Sequence, residues 1–403
     1  MPAFDITARD PGSRARTGVL ELAHGRVRTP AFVPLATKAT VKGLLPGEVA
    51  QLGFEMVLGN TFHLMLAPGE DLIAELGGLH RFMGWDGPIV TDSGGFQVFS
   101  MGHGAVADEI KGRSAQGPRR EGRVLRIGED GVRFRSYVDG AERALSPERS
   151  MEVQAALGSD IALAFDECTP FNVSRDYTER STERTHRWLD RCLAWHAARG
   201  PREQAVYGIV QGGVHADLRR GSAREVAARP VDGVAIGGSL GEDKAQMHEV
   251  VGWATAELEA VAPARPRHLL GIGEIDDLVA GVELGIDTFD CAMPTRLGRH
   301  GMALVADPAR RWRVDLTKSA ARRDPRPVME GCPCAACAGG ASRAYLHHLL
   351  RGREPTALRL LTLHNLAFVS RVMADLRAAI AGGTLAAAAT ALRAGAAPGA
   401  VAA

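Results

Sequence analysis

The chain has 403 residues, of which 45% are hydrophobic, 24% charged and 5% aromatic. These fractions are typical of a globular protein and exclude collagen, a coiled coil or extensive disorder as the main structure. The 48 Lys and Arg residues almost balance the 47 Asp and Glu residues, giving a net charge of +1, so any surface that binds a polyanion must be local.

The amino-terminal residues and the cysteines indicate the compartment. Met1–Asp5 lack the basic region and apolar stretch of a secretory signal, and no uncharged apolar run reaches the about 20 residues of a membrane span. Three of the 6 cysteines crowd into one short segment, which suits a metal better than a disulfide framework. We therefore expect a cytoplasmic protein that does not bind membranes.

Short apolar or β-branched runs recur along the chain, separated by stretches long enough for helices. Two of these stretches, Ser181–His196 and Ile275–Leu284, place apolar residues at helical spacing. Eight strands alternating with helices predict a parallel α/β sheet that closes into a (β/α)8 barrel of the TIM type. The predicted strands are residues 31–35, 56–58, 88–90, 161–165, 206–210, 234–236, 268–272 and 288–289.

Two segments interrupt this alternation. Residues 100–146 are polar and rich in Arg and Gly, and we expect an excursion with a β-ribbon at 124–127 and 132–138. Residues 307–340 contain the clustered cysteines, and we expect a metal-binding subdomain that is inserted into or appended to the barrel. The barrel is then assigned to residues 1–306 and 341–380. The Ala-rich end, 384–403, is expected to be disordered.

Polar side chains or glycines follow six of the predicted strands. Carboxylates occupy this position at Asp92, Asp166 and Asp290, and an amide does so at Gln211. The carboxyl ends of barrel strands share one rim, so we expect these four side chains to surround one pocket. A single Asp after a strand is usually a helix cap, but four polar side chains in equivalent positions make that explanation insufficient.

Carboxylates on one rim suit glycosidic chemistry, in which a retaining mechanism needs a nucleophile and an acid/base about 5–5.5 Å apart. The glycine pairs Gly94–Gly95 and Gly237–Gly238 would let the backbone approach a flat ligand closely. Arg296 and Arg299, just beyond Asp290, are well placed to hold a phosphate. The residues alone therefore predict a pocket for a planar polar ligand, with acid/base or nucleophilic chemistry.

A C-x-C-x-x-C motif at Cys332, Cys334 and Cys337 is typical of soft metal ligation, because three thiolates so close together can surround one Zn²⁺. A tetrahedral site needs a fourth ligand, and the nearby candidates are His347, His348 and His364. An iron–sulfur cluster is an alternative, although it lacks an obvious fourth cysteine.

Five motifs, in order along the chain, resemble those of bacterial tRNA-guanine transglycosylases, also called queuine tRNA-ribosyltransferases. The motifs are Asp92-Ser-Gly-Gly-Phe-Gln, Phe165-Asp-Glu-Cys, Gly208-Ile-Val-Gln-Gly-Gly, Leu270-Gly-Ile-Gly and Asp290-Cys-Ala-Met-Pro-Thr-Arg. The resemblance covers residues 4–380. It implies a homodimeric (β/α)8 barrel with a zinc subdomain that serves queuosine biosynthesis. Its members replace the wobble guanine of tRNAs with a GUN anticodon by 7-aminomethyl-7-deazaguanine.

The resemblance also implies roles for particular residues. Asp290 would be the nucleophile that forms a covalent intermediate with the ribose, and Asp92 would be the proton acceptor. Asp166 would bind the Watson–Crick edge of the base, and Phe96 and Leu270 would cover its two faces. The full substrate-binding set is Ser93, Gly94, Gly95, Phe96, Asp166, Gln211, Gly238 and Leu270, with Gln211 and the Gly238 N–H on the base carbonyl.

Two further sets follow from the same resemblance. The residues expected to bind tRNA are Gly271, Ile272, Gly273, Glu274, Ile275, Asp276, Asp277, Thr295, Arg296, Leu297, Gly298 and Arg299. The ligands of one structural Zn²⁺ are expected to be Cys332, Cys334, Cys337 and His364.

The loop Gly237–Glu242 is one residue shorter than in bacterial members, which leaves the preferred incoming base open. Cys168, as in bacterial members, favours the aminomethyl base over the bulkier queuine. The alternatives are an enzyme that salvages queuine, an N-glycosidase of small substrates, and a non-catalytic tRNA-binding subunit of the same fold.

Overall fold

The computed structural model of the chain describes residues 2–102 and 124–399. Residues 103–123, most of the Arg-rich part of the expected excursion, lie outside the described residues. The strands are β1 Ala3–Arg9, β2 Arg16–Leu22, β3 Gly25–Thr29, β4 Ala31–Ala36, β5 Val57–Gly59, β6 Ile89–Thr91, β7 Val124–Gly128, β8 Gly131–Arg135, β9 Glu142–Leu145, β10 Ile161–Leu163, β11 Ala205–Val210, β12 Gly233–Ile236, β13 Arg267–Leu269, β14 Thr288–Cys291, β15 Met302–Leu304 and β16 Arg313–Asp315. The α-helices are α1 Pro46–Gln51, α2 Thr61–Leu66, α3 Glu70–Glu75, α4 Gly78–Met83, α5 Gly95–Gly102, α6 Pro147–Leu157, α7 Arg175–Arg199, α8 Ala216–Ala227, α9 Lys244–Val261, α10 Ile275–Glu283, α11 Met293–Arg299, α12 Ala335–Ala338, α13 Arg343–Arg351, α14 Pro355–Ala381 and α15 Leu385–Arg393.

Eight parallel strands close the predicted barrel, in the order β4-β5-β6-β10-β11-β12-β13-β14 and back to β4. Each overlaps one of the eight predicted strands, so the predicted fold class is confirmed. Most of the strands are apolar on both faces, because one face packs inside the barrel and the other against the surrounding helices. The two predicted helices are also present, within α7 and α10.

An antiparallel sheet of β1, β2 and β3, which the sequence analysis did not predict, lies across the amino ends of the barrel strands. Leu20 and Val27 join the apolar cluster inside the barrel. The buried Arg16 guanidinium donates to Asp287, the residue before β14, with Nη2 and Oδ2 2.7 Å apart. This sheet therefore closes one end of the barrel and leaves the carboxyl rim as the accessible end.

The β-ribbon predicted in the excursion is present as β7 and β8, and β9 adds a third antiparallel strand. The prediction that residues from 384 onward are disordered is wrong for 385–393, which form α15. Its residues Leu385, Ala388, Ala389 and Leu392 recur at helical spacing and are buried, so this face provides the packing energy that order requires. No helix in the described part of the chain is long and apolar enough to cross a membrane.

Candidate active site and metal centre

Asp92 lies at the carboxyl rim, directly after β6, at the start of a turn into α5. Its Oδ1 accepts a hydrogen bond from the Thr61 N–H at 2.9 Å, and its Oδ2 accepts one from the Asn60 amide. Burial raises the pKa of Asp92 to about 7, and the nearby charge of Asp290 adds to the rise, against the opposing backbone hydrogen bonds. A carboxyl group with this pKa can both give and accept a proton near neutral pH.

Asp290 lies in β14, three strands along the barrel wall from β6. It is 7% exposed, and its Oδ1 accepts hydrogen bonds from the Gly271 N–H at 3.0 Å and from His268 Nε2 at 3.1 Å. Both hydrogen bonds within the described residues therefore converge on the same carboxylate oxygen. A buried carboxylate with a fixed orientation is suited to nucleophilic attack.

Asp166 is the third carboxylate of the rim, and two predicted neighbours hold it. The Ser93 hydroxyl donates to Oδ1 at 2.9 Å, and the Gln211 amide nitrogen donates to Oδ2 at 2.6 Å. Burial raises the pKa of Asp166 to about 6, against these two hydrogen bonds, which favour the charged form. At neutral pH the group is mainly an acceptor, as binding of N–H groups requires. Gly95 packs so closely on this residue that a Cβ there would lie 2.7 Å from the Asp166 carbonyl oxygen.

Gln211 and Gly238 meet at the end of β11 and β12. The Gln211 Oε1 atom is buried and has no hydrogen-bond partner among the described residues. A Cβ on Gly238 would lie 2.1 Å from that oxygen, and the φ of +76° is one that residues with a side chain rarely adopt. The fully buried Arg219 guanidinium fixes this region by donating to the carbonyls of Gly237 and Ser239, both at 2.7 Å. The shortened loop is therefore held rigidly by a residue that the sequence analysis did not identify.

The side chains predicted to cover the faces of a base differ in exposure. Phe96 on α5 is 39% exposed, which is unusual for a phenylalanine beside a barrel core. Leu270 follows β13 and is partly buried, next to the backbone of Gly237. The buried Cys168, after β10, is directed at the backbone N–H of Gly238, and burial raises the pKa of its thiol.

A group of cations, which we call the rim cations, lies beside this pocket. Two of them follow β4 and two lie on α11, after the neighbouring strand β14: Lys38, Lys42, Arg296 and Arg299. Burial lowers the pKa of His63 to about 4, and the charges of both lysines contribute to the decrease. The Lys42 pKa is also lowered, first by burial and then by Arg299, so the groups after β4 and β14 are close enough to repel. The sequence analysis predicted the arginines but missed the lysines, although they too follow a strand.

All three acidic side chains among residues 271–277 are engaged within the protein. Glu274 accepts from the Arg313 guanidinium at 2.5 Å, and Asp276 accepts from the Trp312 indole at 2.9 Å. Asp277 is buried, at 3.2 Å from the Lys244 ammonium. These contacts tie the first turn of α10 to β16 and α9. The exposed Gly271 and the partly exposed Ile272 are the more accessible members of this predicted RNA-binding stretch.

The cysteine motif and His364 form one group. His364 Nδ1 lies 3.7, 3.5 and 3.4 Å from the sulfurs of Cys332, Cys334 and Cys337. Ligand distances of about 2.3 Å for Zn–S and about 2.0–2.1 Å for Zn–N put a sulfur and a nitrogen about 3.6 Å apart at tetrahedral angles. His364 Nε2 donates to the Leu304 carbonyl at 2.7 Å, which turns the Nδ1 lone pair towards the thiols. The four residues therefore fit a tetrahedral metal ion.

The other two histidines considered as fourth ligands lie elsewhere. His347 donates to the Leu316 carbonyl at 2.8 Å, and His348 is exposed on α13. His364 lies on α14, outside the predicted subdomain of residues 307–340, so the metal-binding group joins that segment to the helices of the barrel.

The fold and the rim define a (β/α)8-barrel enzyme with the paired carboxylates of glycosyl-transferring enzymes. The sequence profile of the family described as queuine tRNA-ribosyltransferase matches residues 10–396. A queuine tRNA-ribosyltransferase of Roseiflexus sp. is 51% identical over 393 residues, which cover 95% of this chain and 97% of the relative. One of Symbiobacterium thermophilum is 47% identical over 384 residues, covering 95% and 88%. The chain therefore belongs to the queuine tRNA-ribosyltransferase family, which is a family of pentosyltransferases.

Proposed function

We propose that this chain is a tRNA-guanine transglycosylase that exchanges the wobble guanine of tRNAs with a GUN anticodon for a 7-deazaguanine. The observation that carries the proposal is the convergence of three buried or partly buried carboxylates on one barrel rim, in a chain that matches the family over almost its whole length. The target base must leave the anticodon stack before a pocket of this kind can act on it.

The exchange takes place in two steps at Asp290 and Asp92. In the first, an oxygen of Asp290 attacks the ribose anomeric carbon, the bond to guanine breaks, and Asp92 supplies a proton to the departing base. In the second, the Asp92 carboxylate removes a proton from the incoming base, which attacks the same carbon and displaces Asp290. A pKa of about 7 suits Asp92 to both proton transfers.

Base recognition is assigned to the residues around Asp166. Its carboxylate accepts from the N–H groups of the Watson–Crick edge, while the Gln211 amide and the Gly238 N–H bind the base carbonyl. Phe96 and Leu270 cover the two faces of the ring. The raised pKa of Asp166 fits this role, because binding to donors restores the charged form that burial disfavours.

The rim cations are assigned to the phosphates that flank the extruded nucleotide. Lys38 and Lys42 are exposed, and the repulsion of Lys42 by Arg299 and Lys38 is relieved when an anion lies between them. The backbone from Gly271 to Asp277 and from Thr295 to Arg299 provides the remaining contacts to the anticodon. This assignment makes tRNA affinity dependent on salt.

The metal is assigned as one structural Zn²⁺ bound by Cys332, Cys334, Cys337 and His364. A closed set of four protein ligands leaves no position for a substrate, so the ion would stabilise folding and take no part in the exchange. The chemistry of the donor set, three thiolates and one imidazole, favours Zn²⁺ over Mg²⁺ or Ca²⁺.

The domain division, a barrel of residues 1–306 and 341–380 with a zinc subdomain at 307–340, remains our proposal, as does a cytoplasmic location.

A homodimer is also proposed. Exposed apolar side chains give it physical support: Leu72 on α3, Leu76 directly after it, Phe82 on α4 and Tyr345 on α13. Sedimentation of the purified chain would test it, and a monomer at micromolar concentration would refute it.

We further propose that 7-aminomethyl-7-deazaguanine is preferred over queuine. Both bases present the same Watson–Crick edge, so discrimination must come from groups near the 7-substituent. Cys168 is buried and the loop from Gly237 to Gly241 is held by Arg219, which leaves little freedom to admit a bulky cyclopentenediol. Competition between the two bases for one tRNA measures the preference, and equal or better use of queuine would identify a salvage enzyme.

Exchange of labelled guanine into unmodified tRNA tests the main proposal. Incorporation that needs a GUN anticodon is the expected result, and an otherwise identical tRNA with another wobble base is the control. Release of free guanine without incorporation would identify an N-glycosidase instead. Binding of tRNA without either reaction would identify a non-catalytic subunit.

A further inference from the structure

His268 is a buried histidine in β13 that lies between Thr288 and Asp290 of β14. The register pairs His268 with Thr288, and the three side chains are 2%, 3% and 7% exposed. The imidazole Nδ1 lies 2.8 Å from the Thr288 hydroxyl, and its Nε2 lies 3.1 Å from Asp290 Oδ1. A histidine is thus in direct contact with the carboxylate that we assign as the nucleophile.

The partners determine which imidazole nitrogen carries the proton. Asp290 Oδ1 accepts from the Gly271 N–H at 3.0 Å, and an ionised carboxylate can only accept, so Nε2 must bear a hydrogen and donate it. In the neutral imidazole Nδ1 is then an acceptor, and the Thr288 hydroxyl donates to it. The ring is therefore held at both ends, with one tautomer selected.

We propose that His268 is a positioning residue for the covalent step: with the Gly271 N–H it immobilises Oδ1 of Asp290, so that Oδ2 is the attacking atom. The proposal rests on the assignment of Asp290 as the nucleophile. Both donors approach the same oxygen, so the carboxylate plane is fixed and the other oxygen is left to meet the ribose.

The same two donors serve both steps of the exchange. When the bond between Oδ2 and the anomeric carbon forms, the electron pair of the glycosidic bond leaves with guanine, and Oδ1 becomes the carbonyl oxygen of an ester. When the incoming base displaces Asp290, the electron pair of the ester bond returns to the carboxylate, and its charge falls partly on Oδ1. His268 and Gly271 then stabilise that charge, and no proton leaves His268 in either step.

A purely structural role is the main alternative, since buried polar groups generally need partners. The two roles differ in what they predict for the rate of the chemical step. Loss of a structural hydrogen bond lowers stability but leaves the rate of the bound complex unchanged. Loss of a positioning hydrogen bond slows the chemistry even in a fully folded, fully bound enzyme.

Three substitutions at this position separate the two roles. In His268→Gln the amide nitrogen can replace Nε2 as the donor to Asp290. The side chain of His268→Leu has no donor. The side chain of His268→Asn has a donor but is too short to reach Asp290. Single-turnover formation of the denaturation-resistant RNA adduct is measured at saturating tRNA, together with tRNA affinity and the melting temperature. We expect the Leu and Asn variants to form the adduct about 10 to 100 times more slowly, because this is the effect of losing one hydrogen bond to a charged group. Their affinity for tRNA should be unchanged. The Gln variant should stay within about threefold of the unmodified chain.

His80 provides a matched control, because its Nε2 also lies 3.1 Å from a buried carboxylate, Asp160, at the amino end of the barrel. His80→Leu should lower the melting temperature without slowing adduct formation. The proposal is overturned if His268→Leu forms the adduct at the normal rate, or if His268→Gln is as slow as His268→Asn. If His268→Leu does not fold, the rates of adduct formation in His268→Gln and His268→Asn distinguish the two roles. Absence of any adduct in the unmodified chain would instead refute the proposed function.

Discussion

The raised pKa of Asp92 has a consequence for stability that can be measured without substrate. An acid whose pKa rises from 3.8 to about 7 on folding binds more protons in the folded than in the unfolded chain between these pH values. The contribution of Asp92 to the free energy of unfolding therefore falls as pH rises through this window and is constant outside it. The full effect would be about 4 kcal/mol, of which about 2 kcal/mol falls between pH 5.5 and 8.5. Asp92 is partly exposed, so we expect about 1–2 kcal/mol in that range.

Asp92→Asn removes this titration, and urea unfolding of both proteins at pH 5.5 and 8.5 measures it. The difference in unfolding free energy between variant and unmodified chain should shift by about 1–2 kcal/mol in favour of the variant at the higher pH. The amide also loses the contact with Asn60, but that cost is the same at both pH values. Asp217→Asn is the control, because the Arg175 guanidinium lowers the pKa of Asp217 to about 2 and no change is expected in this range. Parallel pH dependence in Asp92→Asn and the unmodified chain would show that Asp92 is charged throughout.

Three further outcomes can be measured. Asp290→Asn should abolish both guanine exchange and the covalent RNA adduct, since an amide cannot form the ester, and a normal adduct would refute its assignment. Cys334→Ala should lower zinc content and melting temperature together, whereas full activity in zinc-free protein would exclude a structural role. Gly238→Ala should raise the KM for guanine at least about tenfold, because its Cβ would meet Gln211 Oε1 at 2.1 Å. Gly221→Ala is the control, because its added Cβ would meet no neighbouring atom within 4 Å, and it should leave the KM for guanine unchanged.

The barrel could be predicted because most of its strands are short apolar runs, and six of the predicted strands are followed by a polar residue or glycine. The sheet of β1 to β3 could not, since β1 alternates exposed with half-buried residues and gives a weak apolar signal. The error at α15 came from treating alanines as low-complexity sequence. The spacing of Leu385, Ala388 and Leu392 did indicate a helical face, which becomes significant only when α14 is there to pack against it.

The site residues that could be predicted are those whose role follows from the neighbouring sequence, and those that were missed depend on contacts between distant parts of the chain. Asp92, Asp166 and Gln211 were predicted from their position after strands, which is a local property. His268 and Arg219 were missed, because each lies inside an element and acts on a residue far along the chain. Arg219 looks like one more charged residue of an amphipathic helix, and only the fold reveals that it binds the carbonyls of Gly237 and Ser239.

Helix α14 connects the proposed zinc site to the rim cations. His364, the only ligand outside the cysteine motif, is followed by Asn365, whose amide donates to the Pro294 carbonyl in α11 at 3.0 Å. Helix α11 also carries the rim cations Arg296 and Arg299. If the metal-binding group holds the proposed Zn²⁺, loss of the metal should loosen the support of α11, while the rim around Asp166 keeps its own contacts. Zinc limitation is thus expected to weaken capture of tRNA before it weakens binding of the free base, so that undermodified tRNA accumulates.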